Sequence, residues 1–145
     1  MRTKIRLLAC VALPIGLVIA APSPAKASEE GDWTVVTLAR DGLWGAATVS
    51  GLGQAIAAAV RNCRAMAAGP SDCGAQFAAT RGGWTLGKLC GDQKIVVTGK
   101  TLEEAEQASS RREINLRLLY VPNLPPCERV LALSTRGQIQ ASLKH

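Results

Sequence analysis

Histidine is almost absent from the 145-residue sequence: the only one, His145, is the last residue. Catalytic sites of the Ser–His–Asp and Cys–His types need a histidine base within the fold, so the sequence argues against both classes of enzyme. It also contains no C-x-x-C pair, and neither Gly51-x-Gly53 nor Gly82-Gly83 is directly followed by Gly-Lys-Ser/Thr. A zinc centre, a redox-active dithiol, a phosphate loop and a bound cofactor are therefore not predicted.

Long hydrophobic runs are missing too, apart from one near the N-terminus. Residues 7–21 form an apolar stretch of 15 residues, preceded by Arg2, Lys4 and Arg6 and followed by the small-x-small triplet 25–27. This pattern is typical of an export signal, and the run is shorter than the ~20 residues of a membrane-spanning helix. We predict a signal peptide over residues 1–27, a periplasmic or secreted protein, and no stable membrane span after cleavage.

Lipidation is the alternative for this segment, because residues 7–10 (Leu-Leu-Ala-Cys) resemble a lipoprotein cleavage box. Such a box closes the apolar stretch, whereas Cys10 lies near its start. We therefore interpret Cys10 as an apolar residue of the signal peptide.

Positive charge is largely a property of that signal. The whole chain has a formal net charge of +6, but residues 28–145 keep 13 basic and 11 acidic side chains, a net charge of +2 over 118 residues. Nucleic-acid binding is not predicted from so small an excess. Six basic residues could form a patch, but acids lie between them, which favours a mixed solvated surface; the six are Lys88, Lys94, Arg111, Arg112, Arg117 and Arg129.

In the first half of the remaining chain, the spacing of the apolar residues changes once, from a strand pattern to a helix pattern. Residues 33–39 and 43–50 are rich in β-branched and small apolar residues, and Asp41-Gly42 between them favours a turn. Residues 52–66 place apolar side chains at i, i+3, i+4 and i+7, which predicts a helix. A third strand is predicted over residues 73–80.

The same order then repeats, with strands predicted over residues 84–90, 94–99 and 127–134. A helix begins at the capping box Thr101-Leu102-Glu103-Glu104. Residues 114–121 also alternate in a way that suits a strand; we favour a helix to about residue 118. The sequence thus predicts two β-β-α-β units, residues 33–80 and 84–134, which indicates an internal duplication, with coincidence as the alternative.

From these units we expect one α+β domain over residues 33–134, in which an antiparallel or mixed sheet carries two helices on one face and is stapled by disulfides. Residues 28–32 are predicted to be flexible, and residues 135–145 to form a polar tail.

Four cysteines follow the signal segment, and an even number in an exported domain predicts a disulfide framework. Four cysteines allow three connectivities. The predicted layout favours Cys63–Cys73, because a helix and the next strand meet across a short loop. It also favours Cys90–Cys127, where the end of one strand meets the start of its antiparallel neighbour.

A family resemblance is carried by Leu43-Trp44-Gly45-Ala46-Ala47, the late helix Cys63, Asp72-Cys73, residues 101–106 and Cys127. This pattern resembles the exported bacterial family catalogued as domain of unknown function 4189, over most of residues 33–134. The sequence departs from that family at Glu113, where a second helix cysteine is expected, and in the longer 122–126 connection. The resemblance implies an exported, disulfide-bonded small domain and supplies no catalytic residue.

The residues that could bear chemistry each have a structural interpretation as well. Asp41, Asp72 and Asp92 could supply a carboxylate pair for hydrolysis, but each lies in a predicted turn, where Asp is common. The acids Glu103, Glu104 and Glu106 suit the first turn of a helix. Trp33, Trp44 and Trp84 could stack on a sugar, but with so few aromatics they are expected in the core.

We therefore expect a non-enzymatic domain that binds a protein or small ligand in the cell envelope. Its candidate contact residues are Trp44, Trp84, Pro122, Asn123 and Pro125. The alternatives are an inhibitor of an envelope hydrolase, with residues 121–126 as its rigid loop, and a carboxylate-dependent hydrolase.

Overall fold

A computed structural model describes residues 31–140 of the chain. The predicted signal peptide, its cleavage after Ala27, Cys10, residues 28–30 and residues 141–145 lie outside this range. Within it, no helix is both long enough and apolar enough to cross a membrane.

The chain forms six strands and two helices in the order β-β-α-β-β-β-α-β. The first unit comprises β1 (Trp33–Leu38), β2 (Trp44–Val49), α1 (Leu52–Ala65) and β3 (Phe77–Thr80). The second comprises β4 (Trp84–Cys90), β5 (Gln93–Gly99), α2 (Leu102–Leu119) and β6 (Glu128–Ser134). The α+β class and the two β-β-α-β units are confirmed, and residues 114–119 are helical.

The strands divide between two three-stranded antiparallel sheets, ordered β2-β1-β3 and β5-β4-β6. The first strand of each unit is central in its sheet, and the two units share one topology. We expected one sheet with both helices on one face; instead each sheet carries its own helix.

Side-chain alternation along β1 explains this arrangement. Val35 packs against Ala55 and Ala59 of α1, whereas its neighbour Val36 packs against Leu131 and Leu133 of β6. Since successive strand residues point to opposite faces, β1 is covered by a helix on one face and by the other sheet on the other. The layers therefore run α1, first sheet, second sheet, α2.

Helix α1 can lie close to the first sheet because β2 contains Gly45. A Cβ atom at this position would overlap the backbone of α1 at Ala59 and Cys63. Asn62 of α1 also donates from Nδ2 to the Ala46 carbonyl of β2 at 2.8 Å. The helix is thus in direct contact with the strand backbone.

Strand β3 begins later than the sequence predicts, at Phe77 instead of Cys73. Gly74 has a φ of +91°, a conformation that side chains disfavour, and Ala75 N–H donates to the Asp72 carbonyl at 3.0 Å. Residues 72–75 therefore form a turn.

Residues 135–140 do not leave the fold as a simple tail. Ala132 and Gln140 exchange backbone hydrogen bonds of 3.1 and 2.8 Å, and Ser134 N–H donates to the Gln138 carbonyl at 2.9 Å. The chain therefore turns back after β6 and pairs with the open edge of that strand.

Candidate binding surface

The C-terminal end of α2 exposes large apolar side chains to solvent. Ile114 is 55% exposed, Leu118 74%, Leu119 69% and Tyr120 73%. Ile114 and Leu118 are four residues apart and share one face, on the side of the helix away from the buried Ala105 and Ser109. Single exposed apolar residues are ordinary, but a contiguous group is typical of an interaction site.

The loop that follows, residues 121–126, is anchored to the core and to α2. Leu124 is buried and packs in a cluster with Cys90 and Ile95. Arg117 of α2 donates from Nη1 to the Leu124 carbonyl at 2.6 Å, and Val121 N–H donates to the Leu116 carbonyl at 2.8 Å. The loop is therefore tied to the helix that precedes it.

A covalent bond fixes the other end of the loop. Cys127 is bonded to Cys90, the last residue of β4. Pro125 lies against Gly91, in the turn that follows β4. Between these anchors Pro122, Asn123 and Pro125 are exposed. We call the exposed set the α2-tip surface: Ile114, Leu118, Leu119, Tyr120, Pro122, Asn123 and Pro125.

The nearby charges are mostly cationic. The Glu113 carboxylate is 3.2 Å from Arg117 Nη2 and 3.9 Å from Lys88 Nζ, so its charge is neutralised within the fold. Arg111 and Arg112 are exposed, and neither forms an ion pair with any residue of the described range 31–140. Residues 111–127 carry three Arg and one Glu, a local charge of +2.

The second disulfide, Cys63–Cys73, joins the end of α1 to the turn before β3. Both bridges match the pairing favoured by the sequence layout, and each closes within one unit. Removing either opens a chain loop of 10 or 37 residues.

Asp72, one of the three candidate catalytic carboxylates, links the two units. Its Oδ2 accepts from Lys94 Nζ of β5 at 2.6 Å, and its Oδ1 accepts from the Arg40 backbone N–H at 2.9 Å. The Lys94 hydrogen bond holds the pKa of Asp72 below its usual range; partial burial acts in the opposite direction but is outweighed. A carboxyl group held ionised in this way is unsuited to donate a proton as a general acid.

The other two candidate carboxylates have local roles. Asp41 Oδ1 accepts from Leu43 N–H at 3.1 Å within the β1–β2 turn, as expected of Asp in a turn. Asp92 is exposed in the β4–β5 turn, and its Oδ1 accepts from the Gln93 amide at 3.3 Å. In these contacts both carboxylates act as hydrogen-bond acceptors in turns, which does not favour the hydrolase alternative.

The tryptophans lie apart from the α2-tip surface. Trp44 packs against Val36 and Leu131 between the sheets, so it belongs to the core. Trp84 is half-buried at the first residue of β4, six residues from Cys90 and so about 20 Å along the strand. Trp33 packs beside α1 and lies under the Arg81 guanidinium, 4.6 Å from its ring centroid. Of the predicted contact residues, the loop residues Pro122, Asn123 and Pro125 share one surface, and Trp44 and Trp84 do not join them.

Within residues 31–140 no group of three or more His, Cys, Asp or Glu side chains could hold a metal ion. Comparisons of the chain with protein-family models, curated proteins and solved structures find no match. The resemblance to the domain of unknown function 4189 family stays a prediction.

Sequence reasoning missed the helical part of the α2-tip surface. Residues 114–121 contain more apolar side chains than one helix face can bury, whereas the prediction for this segment weighs only helix against strand and favours a helix. A helix with apolar residues on several sides needs cover on more than one side. That excess was the available signal for Ile114 and Leu118.

Proposed function

We propose that this chain is an exported, non-enzymatic domain that binds a protein partner through the α2-tip surface. The carrying observation is the group of four large apolar side chains, 55–74% exposed, beside a loop tied down by Arg117 and a disulfide. Small-molecule sites are usually concave, whereas this surface projects into solvent, so a protein is the better fit of the two ligand classes.

Export is part of the proposal and rests on two supports. The basic-apolar-small pattern of residues 1–27 is that of a signal peptide. Disulfides such as Cys63–Cys73 and Cys90–Cys127 persist in oxidising compartments, including the periplasm and the cell exterior.

Rigidity of the loop supports binding energetically. A segment already ordered in the free protein loses less conformational entropy on association. Tyr120 also supplies a large contact area with few rotatable bonds.

The test is capture from an envelope extract by the oxidised protein and by two charge-introducing variants. Leu118→Asp places a carboxylate in the α2-tip surface, and Met66→Asp places one on the end of α1, where Met66 is 52% exposed. We expect the wild type and Met66→Asp to retain the same partner and Leu118→Asp to lose it. Retention by all three proteins would refute the assignment of the surface.

The anchored loop also favours the inhibitor alternative, because inhibitors present a rigid exposed segment to an enzyme. Adding the oxidised protein to an envelope extract should then lower its peptidoglycan-hydrolysing activity. Replacing Pro122 and Asn123 by Gly-Ser, which leaves the anchoring residues Val121, Leu124 and Cys127 in place, should abolish that effect. Unchanged hydrolysis with the wild-type protein would exclude this version of the function.

A further inference from the structure

Two rows of side chains run along α2 towards the α2-tip surface. Arg111, Ile114 and Leu118 are spaced i, i+3 and i+7, so they lie along one face of the helix. Arg112 and Leu119 are also seven residues apart, but lie about 100° around the helix from the first row, on the flank next to the buried Ala105. Each row begins with an exposed arginine and ends with an exposed leucine.

Arg111 and Arg112 are available to a partner, whereas two acids of α2 are already engaged within the fold. Glu113 is held by Arg117 and Lys88, and Glu106, further towards the start of α2, is 2.9 Å from Arg129. Within the described part of the chain, Arg111 and Arg112 have no such counter-ion. The α2-tip surface is therefore flanked by two arginines whose charge is uncompensated.

We propose that the α2-tip surface binds an acidic protein segment that also carries large apolar side chains. The inference rests on the proposed function and narrows its partner class. Apolar anchors of the partner would cover Ile114 and Leu118, and its carboxylates would meet Arg111 and Arg112, where a guanidinium can hold a carboxylate through two parallel hydrogen bonds. Complementary charge of this kind selects partners and speeds their association.

A protein segment fits these observations better than an anionic membrane. Lipid-binding patches use clusters of about 4–8 basic residues. Only two uncompensated arginines, Arg111 and Arg112, lie beside the α2-tip surface. The anchored loop and its prolines are, in contrast, features of a preorganised protein contact.

The test uses a library of random dodecapeptides displayed on phage. Peptides are selected for binding to the oxidised protein, which is produced by export from a bacterial host. We expect the enriched peptides to contain Asp or Glu together with Leu, Phe or Trp. Their affinity, measured by fluorescence anisotropy on synthetic copies, should fall at least tenfold in Leu118→Asp. It should fall about three- to tenfold in the double variant Arg111→Gln, Arg112→Gln, and should decrease as NaCl is raised.

The double variant Arg61→Gln, Arg64→Gln is the matched control, because it removes the same charge from the exposed side of α1. It should bind the enriched peptides as tightly as the wild type does. Urea unfolding of every variant, with a midpoint close to that of the wild type, excludes misfolding as the cause of any loss.

The remaining outcomes separate the two levels of the proposal. Enriched peptides that lose binding in Leu118→Asp but contain no acids would overturn the acidic partner and leave the proposed function standing. Failure to enrich peptides, or binding that Leu118→Asp leaves unchanged, would overturn both. Co-sedimentation with phosphatidylglycerol vesicles but not with phosphatidylcholine vesicles would assign the surface to membranes and also refute the proposal.

Discussion

Adding one methyl group at Gly45 should have the opposite effect on stability from adding one at Gly53. Gly45 lies in β2 beneath α1, and its added Cβ would come within 2.8 Å of Cys63 Cβ and overlap the backbone of Ala59. Gly53 lies in α1 itself, and a Cβ there would meet no atom within 4 Å. The same substitution thus tests packing at one site and helix propensity at the other.

The magnitude for Gly45→Ala follows from the distance. Carbon atoms in ordinary contact are about 3.5–4.0 Å apart, so α1 must move about 1 Å away from the sheet. The obstructing atoms are backbone, and Cys63 is tethered to Cys73, so rotamer changes cannot relieve the overlap. We expect a loss of about 3 kcal/mol in the free energy of unfolding, near the upper end of overpacking costs, and a melting temperature about 10 °C lower.

Gly53→Ala should instead raise the free energy of unfolding by about 0.5–1 kcal/mol. The unfolded chain has less backbone freedom with Ala than with Gly, so less conformational entropy is lost when the helix forms. The assay is urea unfolding of the oxidised proteins, followed by far-ultraviolet circular dichroism, with thermal unfolding as a second measurement. A Gly45→Ala protein as stable as the wild type would refute the close contact between β2 and α1. Equal destabilisation by the two variants would show that glycine as such, and not the packing, decides the result.

Three further changes should alter stability in predictable directions. Replacing Cys90 and Cys127 together by Ala should cost about 4 kcal/mol in urea unfolding, and replacing Cys63 and Cys73 about 3 kcal/mol, because the first bridge closes the longer loop of 37 residues against 10; the reverse order would contradict the loop-entropy explanation. Asp72→Asn should cost about 1–3 kcal/mol at pH 7, since Lys94, only 8% exposed, loses its carboxylate. The folded-state pKa of Asp72 is lowered, so its contribution is complete above the unfolded value of about 3.9 and is lost as the pH falls through the folded value; a difference between wild type and Asp72→Asn that persists well below that range would argue against the ion pair. Ser109→Ala should stabilise the protein by about 1 kcal/mol, because the Ser109 hydroxyl is buried without a hydrogen-bond partner in the described residues; Ser110→Ala, at an exposed position of the same helix, serves as the control and should change the midpoint little.

Local signals in the sequence are strong enough to predict the elements of this fold. The N-cap half of the predicted capping box is observed, since the Thr101 hydroxyl accepts from Glu104 N–H at 3.1 Å. The Glu104 carboxylate accepts instead from the N–H of Lys100, one residue before the N-cap, at 2.8 Å. The switch from period two to period 3.6 also marks α1 to within one residue of its end. These features depend only on residues close together in the chain, which a sequence displays directly.

The arrangement of the layers was harder to predict, because it depends on which faces are covered. Thr34 to Leu38 are all buried in β1, and a strand buried on both faces shows a continuous run instead of alternation. The run TVVTL was a signal that both faces of the first sheet are covered. One sheet with both helices on one face leaves the second face without cover.

The candidate surface was predicted only in part. Proline and a flanking cysteine marked the loop residues Pro122, Asn123 and Pro125, since prolines limit backbone freedom. The apolar excess of residues 114–121 signals that some of these side chains lie outside the core. It does not show which of them face solvent, because an exposed leucine and a buried one look alike in a sequence.

Each disulfide joins cysteines that are consecutive among the four in residues 28–145, first with second and third with fourth. A chain that enters an oxidising compartment from its N-terminus presents Cys63 and Cys73 before Cys90 emerges. If the chain is exported as proposed, oxidation in the order of emergence would produce the native pairs without disulfide reshuffling. The pairing within units therefore matches the order in which the four cysteines are synthesised.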